Sequence, residues 1–171
     1  MASKLTGGRK CPHALLMQAW LLVAYSTGLR LQDLLSIRHD SIRGNRLLVR
    51  QTKTGQPHVV YLDHNALEAI RKLPVRGPRV FGDLICRDKV LFQMRRLVKL
   101  SSRPGSTKFL RRSGATYCEI AGKDATRHLG HRSPGMKVHY VDRLLLDEEK
   151  HGEPTAPPLE LVDHAENLER V

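Results

Sequence analysis

At 171 residues the chain is long enough for one domain with its own core plus a tail, which excludes a mini-protein stapled by disulfides or metal. With 40% apolar and 27% charged residues, 13 Gly and 9 Pro, it is neither collagen-like nor disordered throughout. The net charge of +12 points to a polyanionic partner, and it is unevenly spread: residues 147–171 carry eight carboxylates against Lys150 and Arg170, a net −6, leaving +18 over residues 1–146.

Taken in chain order, residues 14–27 (ALLMQAWLLVAYST) are apolar almost all round, as in a helix buried at the centre of a domain, and Gly28 is placed to stop it. Arg30 then opens a shorter helical pattern with Leu31, Leu34, Leu35 and Ile37 inward and Gln32, Asp33 and Ser36 outward, so it sits at a helix-to-helix joint. Residues 46–51 and 57–62 read as a β-hairpin around Thr52-Lys53-Thr54-Gly55-Gln56, with Lys53 near its tip. Asp63 is placed to cap a helix over 64–73.

A Pro/Gly-rich connector leads to helical periodicity over 88–100, and a loop follows from Ser101 to Ser106. Helices are expected over Thr107–Ala121, Lys123–Leu129 (ended by Gly130) and Met136–Leu146. From His151 a Pro-rich linker leads to a weak acidic amphipathic pattern with Leu159, Leu161, Val162, Ala165 and Leu168, docked in cis, docked on a neighbouring subunit, or disordered. Cys11, Cys86 and Cys118 are odd in number, widely spaced and form no Cys-x-x-Cys pair, as in a reduced cytosolic protein. No secretion signal opens the chain, and its longest apolar stretch, Ala19 to Tyr25, is far short of the roughly 20 residues of a membrane span.

Four stretches carry chemistry: Thr27-Gly28-Leu29-Arg30 with Asp33; Lys53-Thr54-Gly55; Lys108-Phe109-Leu110-Arg111; and Leu129-Gly130-His131, with Tyr140 nine residues after the histidine. In this order, over residues 14 to about 146, they resemble the catalytic domain of the tyrosine recombinase (phage integrase) family. The resemblance implies a mainly α fold with a small hairpin or three-stranded sheet at one edge. It also implies site-specific cleavage and rejoining of double-stranded DNA through a 3′-phosphotyrosyl intermediate.

The chemistry explains the residue types. A phosphodiester transesterification piles negative charge on the non-bridging oxygens of its transition state, and fixed cations aimed there lower the barrier. Arg30 and Arg111 are the candidate clamps, because a guanidinium binds phosphate oxygens bidentately and stays charged. Tyr140 is the implied nucleophile, His131 is suited to hydrogen-bond the phosphate or assist proton exchange, and Lys53 on the hairpin is the candidate general acid for the leaving 5′ oxygen. Lys108 stands where the family most often has histidine, which leaves it an electrostatic part rather than a proton shuttle. Arg112 adjoins Arg111, and Arg111 is preferred because it keeps the spacing to Lys108 and His131. Tyr117 is the rival tyrosine, read as a packing residue. His128, His131, His139 and Cys118 fit no tetrahedral zinc spacing, so neither metal nor cofactor is expected.

Arg95, Arg96, Lys99, Arg103 and Arg112 are candidate DNA-backbone contacts, with a solvated basic face as the alternative. The expected organisation is a lead-in over 1–13, a catalytic domain over 14–146 and an acidic tail over 147–171, the lead-in being too short for the N-terminal DNA-clamping domain usual in the family. The expected setting is cytoplasmic, on the nucleoid and away from membranes, with a homo-tetramer on paired DNA sites and a monomer off DNA. Two rivals stand beside recombination: a DNA-binding module of the same fold without catalysis, and a strand transferase of the type IB topoisomerase kind.

Overall fold

Helix α1, His13–Thr27, runs through the middle of the fold and buries Leu16, Met17, Ala19, Trp20, Val23, Ala24 and Thr27. The computed structural model describes residues 12–101, 105–131 and 134–141. Gly28 ends α1 in the left-handed conformation, φ 60°, its N–H closing on Ala24 O. The short helix α2, Leu31–Ser36, follows directly. Leu34, Leu35 and Ile37 are buried as expected, but Asp33 is buried as well, at 1% exposure, where the sequence pattern placed it outward. The reason is tertiary: Asp33 Oδ1 accepts the Thr52 N–H of the hairpin at 2.7 Å.

A three-stranded antiparallel sheet in the order β1 (Ile42–Arg43), β2 (Arg46–Arg50), β3 (Pro57–Tyr61) packs at one edge. The register pairs Leu47 with Val60 and Val49 with His58 on the inner face, and Leu48 with Val59 on the outer face. Leu47, Val49 and Val60 are buried, whereas Leu48, Val59 and Tyr61 are exposed. Helix α3, His64–Arg71, is capped by Asp63, whose carboxylate accepts the Ala66 N–H at 2.7 Å. Helix α4, Arg87–Ser101, buries Val90 and Met94. Helix α5, Thr107–Ile120, starts at Ser106, whose hydroxyl accepts from the Lys108 N–H, and helix α6, Ala125–His128, is capped by Asp124.

The main core joins α1, α2, the sheet, α3 and α4, with Trp20, Phe81, Met17, Leu34, Ile37 and Leu47 fully buried. A second, smaller cluster of Ala115, Ala125, Leu129 and Val141 supports the Tyr140 ring. The expected α-helix over Met136–Leu146 is not formed at its start: Pro134–His139 is a 3-10 helix and Tyr140 lies in the turn after it. Pro134 and Gly135 are poor helix formers, and Tyr140 is drawn onto Arg111 and His131, so tertiary contact overrides the periodicity. Residues 142–146, the acidic tail and residues 1–11 lie outside the described residues. Among the described residues no helix is long and apolar enough to cross a membrane.

Helices α1 and α5 pack closely at Gly114, where a Cβ would lie 2.5 Å from the Tyr25 carbonyl oxygen. Gly114→Ala therefore forces the two helices apart and lowers unfolding stability by about 1–3 kcal/mol, the usual cost of overpacking, measurable by urea denaturation.

Candidate functional site

The Thr-Gly-Leu-Arg stretch works as a rigid exit from α1. Thr27 donates its hydroxyl to Val23 O at 2.6 Å and accepts the Leu29 N–H at 3.3 Å, and Gly28 reverses the chain between them. Arg30 follows with extended backbone as the residue capping α2, half-buried, with Nη1 4.0 Å from Asp33 Oδ2. Asp33 thus faces Arg30 with one oxygen and holds the hairpin with the other.

Arg111, in the second turn of α5, is 6% exposed. Its guanidinium donates to Gly28 O through Nη1, and through Nη2 to Leu129 O at 3.0 Å and to His131 Nε2 at 3.0 Å. The Tyr140 ring lies over the guanidinium, 5.1 Å from its carbon to the ring centroid, and 4.9 Å from the His131 ring. Burial, with Arg30 adding repulsion, pushes the Arg111 pKa down to about 10, and Tyr140 and Asp33 oppose that fall; the group remains protonated at neutral pH. Arg112 is exposed, with its guanidinium 5.9 Å from the Phe109 ring.

The contact to Arg111 fixes the state of His131. A guanidinium only donates, so Nε2 must accept and the ring proton sits on Nδ1. Burial first, then the charge of Arg111, pushes the His131 pKa down to about 4, so the ring is neutral. Nδ1 is buried with no hydrogen-bond partner among the described residues, a donor waiting for an acceptor.

Arg30, Lys53, Lys108, Arg111, Arg112 and Tyr140 line one cleft of about 810 Å³, joined there by Arg87 and His139. His131 packs its ring against that of Tyr140 and is not itself among the lining residues. Lys53 and Lys108 are exposed, Lys53 in the hairpin turn and Lys108 in the first turn of α5. Tyr117 is elsewhere, its ring 6.3 Å from that of Tyr25, as in packing between α1 and α5. Of the candidate backbone contacts, Arg95 and Lys99 are exposed on α4, Arg96 is half-buried and Arg103 lies outside the described residues; among these only Arg112 lines the cleft. Among the described residues, no three of His, Cys, Asp and Glu are placed to share a metal ion.

Three residues were not singled out by the sequence reading, and Asp33, named there beside the Thr-Gly-Leu-Arg stretch, was placed outward although it is buried. Gln51, 2% exposed, donates to Gly130 O at 3.1 Å, and His58 Nε2 pairs with the His128 carbonyl at 3.1 Å, so the hairpin is stitched to the Leu-Gly-His turn. Strand alternation could have found both, since Gln51 continues the inward series Leu47, Val49 and His58 shares the face of Val60. Arg87 opens α4 one turn before the cleft-lining Leu91, a helical spacing visible in the sequence.

Three histidines crowd this region, and burial is the largest cause of a lowered pKa in each: His58, His128 (down to about 4) and His131. Bases with depressed folded pKa values bind protons in the unfolded chain first, so their stabilisation is complete above about pH 6.5 and is lost as pH falls toward about 4. For the well-buried His128 the slope approaches about 1.4 kcal/mol per pH unit, with less from the more open His131. Urea unfolding at pH 7.5, 6.0 and 5.0 should show stability falling with pH, and His128→Gln should flatten the fall.

The phage integrase family model matches residues 6–144. Among solved structures, the XerA recombinase matches with a TM-score of 0.63 at 16% identity, over 91% of this chain and 67% of that one. Lambda integrase (75-356), solved as a dimer bound to a COC′ core site, matches at 0.63 and 25% identity over 78% of this chain and 54% of that one. The lambda integrase catalytic core matches at 0.57 and 23% identity, over 69% of this chain and 81% of that one. The chain spans about half the length of the lambda integrase chains solved on DNA. No curated protein matches it. The family match over most of the chain and the fold shared with these structures agree: the chain belongs to the phage integrase (tyrosine recombinase) family, as its catalytic domain.

Proposed function

We propose that this chain cleaves and rejoins double-stranded DNA, with Tyr140 as the nucleophile. The observation that carries the reading is the Tyr140 ring lying on the buried Arg111 guanidinium, at a cleft whose walls also present Arg30, Lys53, Lys108 and Arg112. The Tyr140 oxygen attacks the scissile phosphorus and its proton passes to water in the open cleft. The bond from phosphorus to the 5′ oxygen breaks, Lys53 protonates that oxygen, and the DNA keeps a 3′-phosphotyrosyl link until a 5′ hydroxyl reverses the step.

Arg111 has three of its five N–H donors committed to the protein, which leaves Nε and one Nη1 proton for a non-bridging oxygen. Arg30 supplies the opposing cation. The committed Nε2 and free Nδ1–H of His131 favour a hydrogen-bond donor to the phosphate over a base for the tyrosine. Lys108, exposed in the first turn of α5, acts through its charge. Lambda integrase has been solved as a dimer on a core site and as a tetramer bound to a Holliday junction, and we infer the same assembly on paired DNA sites for this chain.

Incubation with a nicked suicide duplex should yield a protein–DNA adduct. Tyr140→Phe should abolish it while leaving DNA affinity nearly unchanged, and Tyr117→Phe should retain it. An intact chain that binds the duplex without an adduct is the non-catalytic DNA-binding module instead; adduct and relaxation without exchange between two sites would indicate the topoisomerase-like activity. Arg30→Ala, verified as folded by thermal melting, should slow cleavage by about 10²-fold, the scale of removing one preorganised transition-state donor. Arg112→Ala should cost far less. Arg111→Ala should lose stability together with activity, because it removes the buried donor to the Gly28 and Leu129 carbonyls.

A further inference from the structure

We infer that Gln51 is a positioning residue for Lys53, tying the hairpin that carries the lysine to the Leu129-Gly130-His131 turn. The inference rests on the reading of Lys53 as the general acid only for what Lys53 does, not for where it is held.

Lys53 is exposed in the hairpin turn and makes no hydrogen bond or ion pair among the described residues, so its place is decided by the backbone of residues 51–56. Gln51 fixes that backbone. Its N–H donates to Gln56 O at 2.9 Å and its carbonyl accepts the Gly55 N–H at 2.7 Å, while its side-chain Oε1 accepts the Thr54 hydroxyl at 2.8 Å. The other end of the same side chain leaves the hairpin: Nε2 donates to Gly130 O at 3.1 Å and reaches Leu129 O at 3.5 Å. Leu129 O also accepts from Arg111 Nη2 at 3.0 Å. One buried amide therefore connects the residue after Lys53 to the carbonyl that holds the buried arginine.

The turn is shaped to receive this amide. Gly130 has φ 64°, and a Cβ there would lie 2.2 Å from Gln51 Nε2, so any side chain at 130 would displace the link. The hairpin has a second anchor at Thr52, whose N–H is held by Asp33 Oδ1 at 2.7 Å. Asp33 fixes the near limb of the turn and Gln51 closes it, and together they hold the backbone from which Lys53 extends to line the cleft.

The test compares the full chain with Gln51→Ala, Lys53→Ala and the double variant, on suicide duplexes bearing either the natural bridging 5′ oxygen or a bridging 5′ sulfur at the scissile position. A thiolate leaves without a proton, so a defect in the acid or its placement disappears on the sulfur substrate. Gln51→Ala should slow cleavage of the oxygen substrate by about 10-fold or more, the scale of a displaced catalytic group, and return to near the unsubstituted rate on sulfur. The double variant should be no slower than Lys53→Ala alone, because residues acting through one step are non-additive. Gln51→Ala equally slow on both substrates, fully additive with Lys53→Ala, or without effect, overturns the inference. Lys53→Ala unrescued by sulfur overturns the acid reading instead, and the double variant still decides for Gln51. If the unsubstituted chain forms no adduct, amide hydrogen exchange decides: Gln51→Ala should speed exchange at residues 52–56 while α1 stays protected, and unchanged exchange there overturns the inference.

Discussion

Everything around the cleft depends on one buried guanidinium. Arg111 reaches from α5 to carbonyls that follow the ends of two other helices, Gly28 after α1 and Leu129 after α6. Helix C-termini leave carbonyls without intrahelical partners and carry partial negative charge, so a cation is the natural group to gather them. Burial opposes the charge, as the fall of its pKa to about 10 records. Charge-assisted hydrogen bonds and the Tyr140 ring over its face offset that cost. The residue proposed to bind phosphate is therefore also the residue that brings three segments of chain into register.

The glycines of the two motifs follow from this arrangement. For Arg111 to touch both carbonyls, α1 and α6 must end abruptly and close together, and both chain reversals use positive φ, 60° at Gly28 and 64° at Gly130. The space beside each is already filled: a Cβ at Gly28 would lie 2.8 Å from His128 Nε2, and one at Gly130 would strike Gln51 and His58. Thr-Gly-Leu-Arg and Leu-Gly-His are thus two halves of one packed joint, separated by 98 residues of sequence. His131 inherits its state from the joint, because the proton it lacks at Nε2 is the one Arg111 supplies.

Much of this fold was legible because its signals are local. Apolar residues around the whole of 14–27 gave the central helix, Gly28 its stop, Asp63 its cap on α3, and alternation with a Gly-containing turn gave the hairpin. What escaped the sequence is held by partners distant along the chain. Asp33, next to Gln32, reads as the polar face of a short helix, and its burial makes sense only beside Thr52 N–H and Arg30. Gln51 lies where the strand gives way to the turn, and its partners are 78 and 79 residues away. The helix expected from Met136 is not formed over 136–140 for the same reason: the period of Val138, Val141 and Leu145 is real in the sequence, but Tyr140 is in contact with Arg111.

The cleft itself is electrostatically unbalanced. Arg30, Lys53, Arg87, Lys108, Arg111 and Arg112 face it, and Asp33 is the single carboxylate among its lining residues. Arg30 lowers the pKa of Arg111, so at least this pair repels across the cleft. Such crowding is tolerable because the cations stand on different elements, α2, the hairpin, α4 and α5, each fixed by its own core contacts and hydrogen bonds rather than by the charges. The scaffold meets the cost of assembling like charges when the chain folds. The donors are oriented by the scaffold in advance, so negative charge added between them would relieve a repulsion the protein already carries. That preorganisation makes a positively charged cleft suited to stabilising a transition state richer in negative charge than its ground state.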